Sequence, residues 1–252
     1  MTPDQYLGGI LAREAVDVSS TSPVLGARRL LIPILTEWAG SQLRGVKASG
    51  SFAKGTANLS GTDLDLFISL LSDTTGTLKE IYTRLNNRLK EKGFTPRQQD
   101  VSINIPVGAY RVDLVPAIHQ GGSGEFHSLY KRRSNTWILT NIDTHIATVR
   151  NSGRADEIRL IKLWRDQKRL DFPSFYLELV VIAALSGARG SLSENVMTVV
   201  RYLTDKFPTA RFVDPADSNN IVSDDLSVAQ RATIAAEASR ALSATNWSQI
   251  VV

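Results

Sequence analysis

Residues 50–71 read GSFAKGTANLSGTDLDLFISLL, and two aspartates one residue apart at the head of an apolar run set how the rest of the chain is read. On an extended strand alternate side chains share a face. That places Asp63, Asp65 and Phe67 on one side and Leu64, Leu66 and Ile68 on the other. Two carboxylates held side by side repel each other unless a cation or a shared proton settles them. A few hard oxygen donors beside a candidate phosphate loop suit Mg²⁺, which keeps part of its shell for water and phosphate oxygens.

The upstream half of the stretch follows a short strand-like run over 45–49 and brings Gly50-Ser51, then Lys54-Gly55-Thr56. Glycine lets a backbone approach a phosphate closely, and Ser, Thr and Lys can donate to it. The order is not that of a Walker A loop, because lysine precedes glycine. Taken alone, either half is explained by a hairpin with a Gly/Ser/Thr/Asn loop and an Asp-rich strand start.

Together, Gly50-Ser51, Lys54-Gly55-Thr56, Gly61 and Asp63-Leu64-Asp65-Leu66-Phe67 resemble the signature of the polymerase-beta-like nucleotidyltransferases. Within them the spacing is most similar to the branch of oligoadenylate synthetases, bacterial cyclic-oligonucleotide synthases (CD-NTases) and archaeal-type CCA-adding enzymes. The resemblance implies a loop at Gly50, Ser51, Lys54 and Thr56 that holds a nucleoside triphosphate. It also implies Asp63 and Asp65 as ligands of two Mg²⁺ ions, with Mn²⁺ the alternative metal, and a third carboxylate on a later strand.

Further along, residues 3–16 and 24–44 carry helical apolar spacing, the second with Pro33 as a kink or late start, and both are expected to pack on the sheet. Thr77-Leu78-Lys79-Glu80 has the form of a capping box, followed by a stripe of Leu78, Ile81, Leu85 and Leu89 and a stop at Gly93. Strands are expected over 100–107 and 110–118, divided by Pro106 and Gly108. In the second, Asp113 is a charge inside an apolar run. It must reach an edge, pair with Arg111 or another cation, or join a metal site. The resemblance selects the last and makes Asp113 the third carboxylate.

After the Gly/Ser-rich loop at 121–124 strand-like alternation is no longer evident, and helices are expected near 137–150, 154–169, 173–187, 192–206 and 226–243. In IRLIKLW, residues 158–164, Lys162 reads as a snorkelling lysine or as a single cation projecting from an apolar face. The resemblance makes it a triphosphate ligand. The run Pro173-Ser174-Phe175-Tyr176-Leu177-Glu178-Leu179 opens a helix whose first N–H groups can receive an anion. Here the family likeness assigns Ser174 and Tyr176 to the phosphates, while Glu178 reads as half of a structural ion pair. The segment 213–222, VDPADSNNIV, marks turns by its chemistry and resembles a DPxDPxxN segment of the same enzymes. It departs from that pattern at Ser218, and Asn219 stands where the CCA-adding type carries an arginine.

Composition sets the outer bounds. With 42% hydrophobic and 21% charged residues in 252, the chain is an ordinary globular one of one large or two small domains. No apolar run reaches the length of a membrane span and the N-terminus lacks the form of a signal peptide, so a cytoplasmic location is expected. Zero cysteines exclude disulfides and thiolate zinc sites, and His119, His127 and His145 have no metal-ligand spacing. Residues 128–170 carry ten Lys/Arg against four Asp/Glu, a net +6 that leaves −2 for the remainder. Such a basic half suits a polyanion, although a solvated helix face explains part of it.

The expectation is an α+β protein. Residues 1–122 form a small mixed-sheet, palm-like nucleotidyltransferase domain flanked by helices, and 123–252 form an α-helical nucleotide- and acceptor-binding domain, with the site in the cleft between them. The reaction implied is transfer of NMP from an NTP, ATP among them, to a ribose hydroxyl with release of pyrophosphate. The expected product is a short linear or cyclic signalling oligonucleotide. The alternatives are addition to the 3′ end of tRNA or another RNA held by 128–170, and a catalytically inactive nucleotide-binding regulator.

Overall fold

The computed structural model of the protein describes residues 1–17, 19, 22–61, 63–108 and 110–252, with the backbone alone at 23 and 24. Thr62 of the opening motif lies outside the described residues. The elements in chain order are α1 (Pro3–Arg13), α2 (Pro23–Ala39), β1 (Leu43–Ser49), α3 (Gly50–Lys54), β2 (Asp63–Leu70), α4 (Leu78–Glu91), β3 (Arg97–Gln98), β4 (Ile103–Val107) and β5 (Tyr110–His119). There follow β6 (His127–Lys131), β7 (Thr136–Thr140), α5 (Ile142–Asn151), α6 (Ala155–Gln167), α7 (Ser174–Ala184), α8 (Leu192–Asp205) and α9 (Val228–Leu242). The expected mixed α and β architecture is present.

Two compact units emerge, one of Val16–Gly55 with Gly61–Ile146, the other of Met1–Ala15, Thr56–Ser60 and Ala147–Val252. The first is built on a seven-stranded mixed sheet of order β1-β2-β5-β4-β3, with β6 pairing β5 and β7 pairing β6. Among the described residues only β2 and β5 run parallel. Strand alternation decides what each face does. Leu64, Leu66, Ile68 and Leu70 of β2, with Val112 and Leu114 of β5, are buried in one cluster with Leu31 and Leu35 of α2 and Ile81, Leu85 and Leu89 of α4. Each such side chain contributes about 1.5–3 kcal/mol by leaving water. The opposite face begins with Asp63 and Asp65 and continues with buried Phe67 and Ser69.

The capping box of α4 forms as expected, with Glu80 N donating to Thr77 Oγ1 at 3.2 Å and Thr77 N to Glu80 Oε2 at 2.7 Å. Helix α2 runs unbroken through Pro33. Two expectations need correction. Strands continue past residue 124, because β6 is buried on both faces and so shows no alternation, while the start of the helix expected at 137 is the strand TWILT of β7. The hairpin between them turns on Asn135, at φ 50°, whose Oδ1 accepts from Tyr130 Oη at 2.8 Å. Helix α5 then begins at Ile142, where Asn141 Oδ1 accepts from the N–H groups of Asp143 and Thr144.

The second correction concerns α1, which packs within the helical unit and not on the sheet. Leu7, Ile10 and Leu11 are buried in the same core as Ile158, Ile161, Leu177, Val199 and Val200. Its capping box at Thr2 and Gln5 fixes the helix start. The helical unit also holds residues 56–60, which lie in sequence between two pieces of the sheet unit. Among the described residues no helix is long and apolar enough to cross a membrane.

Candidate active site

The carboxylates come together through strand register. Asp65 of β2 is paired with Asp113 of β5 in the parallel ladder, and Asp63 with Arg111. Directly paired residues share a face, so three aspartates lie on one patch of the sheet. The loop half of the motif converges on the same patch. Ser49 pairs with Asp65 across β1 and β2, and the chain turns there into α3 at Gly50, whose φ is +58°. A Cβ built on Gly50 would stand 1.6 Å from Asp65 Oδ2. Only glycine fits, on conformation and on space alike.

Burial holds the Asp63 carboxyl above the usual carboxylate range, with the Arg111 guanidinium opposing. Burial does the same to Asp113. There a hydrogen bond from Asn104 opposes the rise, the negative charge of Asp63 adds to it, and Arg111 and Arg97 oppose it. Both carboxylates are therefore costly to ionise as they stand. A cation would relieve them. Among the described residues no three of His, Cys, Asp and Glu are gathered into a ready-made metal cluster. The donor set itself, aspartate oxygens on adjacent strands, has the chemistry that Mg²⁺ or Mn²⁺ takes.

Sequence reasoning allowed Asp113 an edge, an ion pair with Arg111 or a metal site, the resemblance selecting the last, and it missed the residue beside both Asp113 and Arg111. Asn104 of β4 donates from Nδ2 to Asp113 Oδ1 at 2.7 Å and accepts at Oδ1 from an Arg111 guanidinium N–H at 2.7 Å. The signal was a lone polar side chain in the apolar strand INIPV. Ser51 is half-buried in α3, and Lys54 closes that helix with its side chain buried.

The remaining predicted phosphate ligands lie in the helical unit and are engaged there. Lys162, 4% exposed, donates to Glu178 Oε1 at 2.6 Å and to Thr56 Oγ1 at 2.9 Å, and Thr56 Oγ1 donates to Glu178 Oε1 at 2.9 Å. Glu178, 1% exposed, makes the structural ion pair expected of it. Lys162 and Thr56 thus serve each other and Glu178, since a buried ammonium requires a carboxylate and further acceptors. Tyr176 is fully buried among Phe172, Phe207 and Phe212, with ring centroids 5.3–5.5 Å apart. Burial pushes its hydroxyl up to about 12, and it packs as a core aromatic. Ser174 is exposed at the first position of α7, where its Oγ accepts from Arg165 at 2.8 Å.

Four of the ten cations of the basic stretch are spent internally. Arg154 reaches Glu157 and the carbonyls of Leu185 and Ala188, and Arg159 reaches the carbonyls of Leu11, Glu14 and Ala57. Arg165 reaches Asp166, the carbonyl of Phe172 and Ser174. With Lys162, these four cations have side chains only 6–20% exposed, so the +6 of that stretch does not translate into a comparable surface charge. In the 213–222 segment Asp214 accepts from Ala216 N at 2.8 Å and from Asn220 Nδ2 at 3.0 Å, which makes it a self-bonded turn.

The chain is 26% identical over 170 residues to the cyclic AMP-AMP-AMP synthase of Escherichia coli (strain MS 115-1), covering 60% of this chain and 53% of that protein. It therefore spans about half the length of the curated relative it matches. No protein-family model matches the chain. Among solved structures, CdnC of E. coli MS115-1 with ATP superposes with a TM-score of 0.75 at 21% identity, over 95% of this chain and 90% of that one. The CD-NTase CdnG of Bradyrhizobium diazoefficiens in complex with GTP gives a TM-score of 0.79 at 12% identity, over 96% and 91%. The protein has the CD-NTase fold, and its sequence is similar to that of a cyclic-oligonucleotide synthase.

Proposed function

We propose that the protein is a metal-dependent nucleotidyltransferase that joins nucleoside triphosphates, ATP among them, into a short linear or cyclic signalling oligonucleotide. The observation that carries this reading is the seating of Gly50 against Asp65, which brings the glycine-serine turn onto the carboxylate patch as one site. The sequence similarity to a cyclic AMP-AMP-AMP synthase supports the product class.

In the reaction a ribose hydroxyl of the acceptor attacks the α-phosphorus of the donor NTP. A new P–O bond forms, the bond to the β-phosphate breaks, and pyrophosphate leaves with that electron pair. Gly50 and Ser51 would lie along the donor phosphates. Asp63, Asp65 and Asp113 would hold two Mg²⁺ ions, whose charge would lower the pKa of the hydroxyl and offset that of the pyrophosphate. Asp113, steadied at Oδ1 by Asn104, would also help take the hydroxyl proton. An RNA acceptor draws little support from the basic stretch, four of whose ten cations are engaged internally.

The test is to incubate the protein with Mg²⁺ and each labelled NTP, with and without total tRNA, beside an Asp63→Ala/Asp65→Ala control. Label in short, phosphatase-resistant species without RNA is the expected outcome. Label on tRNA alone would shift the reading to RNA tailing. No carboxylate-dependent consumption of any NTP would overturn the enzyme assignment in favour of a nucleotide-binding regulator.

A further inference from the structure

The carboxylate patch continues across the sheet in a single register row. Ser49 pairs with Asp65, Asp65 with Asp113, Asp113 with Asn104, and Asn104 with Arg97. Asn104 is the neutral residue between Asp113 and Arg97 in this row and is 2% exposed. Its amide orientation follows from its partners. A guanidinium can only donate, so it must face Oδ1; a carboxylate can only accept, so it must face Nδ2.

Arg111 sits two residues before Asp113 on the same strand face, and its charge is felt at both Asp63 and Asp113. Its one hydrogen bond to a side chain among the described residues nevertheless goes to Asn104. Left to themselves, an arginine and a half-buried aspartate so placed would pair directly, and a two-pronged guanidinium would occupy both carboxylate oxygens. Asn104 prevents this by standing between them. It takes one oxygen of Asp113 and gives Arg111 an acceptor elsewhere. An aspartate at 104 would repel Asp113, and an apolar residue would admit the guanidinium.

We infer that Asn104 is a positioning residue for the third carboxylate, a buried spacer that fixes Asp113 by Oδ1 and keeps Arg111 from closing over the oxygen a metal ion needs. The inference rests on the nucleotidyltransferase reading above. Residues that orient a metal ligand in this way typically change metal affinity or activity by about 10–100-fold when lost.

The test titrates Mn²⁺ alone into the protein, following free Mn²⁺ by electron paramagnetic resonance, and measures NTP turnover and melting temperature alongside. Asn104→Leu keeps the branched shape of the side chain and removes both hydrogen bonds. It is expected to weaken Mn²⁺ binding about tenfold or more and to lower turnover in parallel. Asn104→Leu/Arg111→Ala removes the competing cation as well and is expected to recover most of the Mn²⁺ affinity, an interaction between sites that loss of packing would not produce. Arg111→Ala alone, at an exposed position, is expected to bind Mn²⁺ at least as tightly as wild type.

Wild-type affinity in Asn104→Leu would overturn the inference, as would a double variant no better than the single one or a tenfold loss in Arg111→Ala. If Asn104→Leu does not fold, the Arg111→Ala arm decides. Wild type that binds Mn²⁺ yet consumes no NTP would defeat the enzyme reading and leave the Asn104 comparison standing. Wild type that binds no Mn²⁺ would defeat both.

Discussion

Two groups of buried or half-buried charges in this protein are treated in opposite ways. In the helical unit, Lys162 and Glu178 are sealed from water, paired at 2.6 Å and completed by Thr56, so both charges are compensated inside the fold. On the sheet face, Asp63 and Asp113 are held where burial opposes their ionisation, and the nearest guanidinium is bonded to an amide instead. Charges that serve the fold are satisfied by the fold. Charges left partly unsatisfied await something from outside, and that difference separates the structural cluster from the candidate site.

The comparison breaks most easily at the aspartates. Asp65→Ala is expected to cut NTP turnover by about a thousandfold or more with the melting temperature preserved, read by product formation and calorimetry on one preparation. Asp113→Asn should abolish turnover while raising the metal-free melting temperature, because it deletes a charge whose ionised form burial penalises. A fall in that temperature would mean Asp113 is as well compensated as Glu178.

Next in size is the opposite experiment in the helical unit. Glu178→Ala leaves a buried ammonium without its carboxylate and is expected to cost about 3–5 kcal/mol in denaturant unfolding. The paired replacement Lys162→Met/Glu178→Leu should recover most of that loss. Failure to recover would give the pair a role beyond its own neutralisation.

Adding Mg²⁺ should sharpen the contrast. Saturation at a hundredfold excess over the dissociation constant stabilises a one-site protein by about 2.7 kcal/mol, and the shift should vanish in Asp63→Ala/Asp65→Ala while persisting in the Lys162→Met/Glu178→Leu variant.

The smallest effect belongs to His127, at the far end of the site face, where the ring is buried against Phe67 and bonded to Ser69 Oγ at 2.8 Å. Burial depresses its proton affinity below the ordinary value of 6.5. The unfolded chain therefore binds the proton more readily, so stability is full above about pH 6.5 and declines as pH falls below it. His127→Gln should flatten that decline in pH-dependent unfolding curves. An unchanged slope would assign the decline to other groups.

The shared face of Asp63 and Asp65 was legible because strand alternation is local, whereas Asp113 joined them only through the family resemblance. Asn104 was not legible, because its meaning depends on which strand β4 pairs with and in what register. Lys162 shows a third kind of limit. A lysine on an apolar helix looks the same in sequence whether it snorkels, grips a phosphate or pairs with a glutamate sixteen residues on. The strand β6 escaped because a segment buried on both faces loses its alternation, and an amphipathic α1 states that it packs without stating on what.

The segment 56–60 has a consequence for how this protein could be taken apart. It is held by Lys162, Glu178 and Arg159, yet it connects α3 to β2, so the chain passes from one compact unit to the other after residues 15, 55, 60 and 146. No single cut yields two intact pieces. A fragment ending near residue 146 would carry every aspartate of the site but lack the anchors of the connector that leads into β2. Neither unit is a contiguous module that recombination could exchange, and the two are expected to be inherited, expressed and degraded as one.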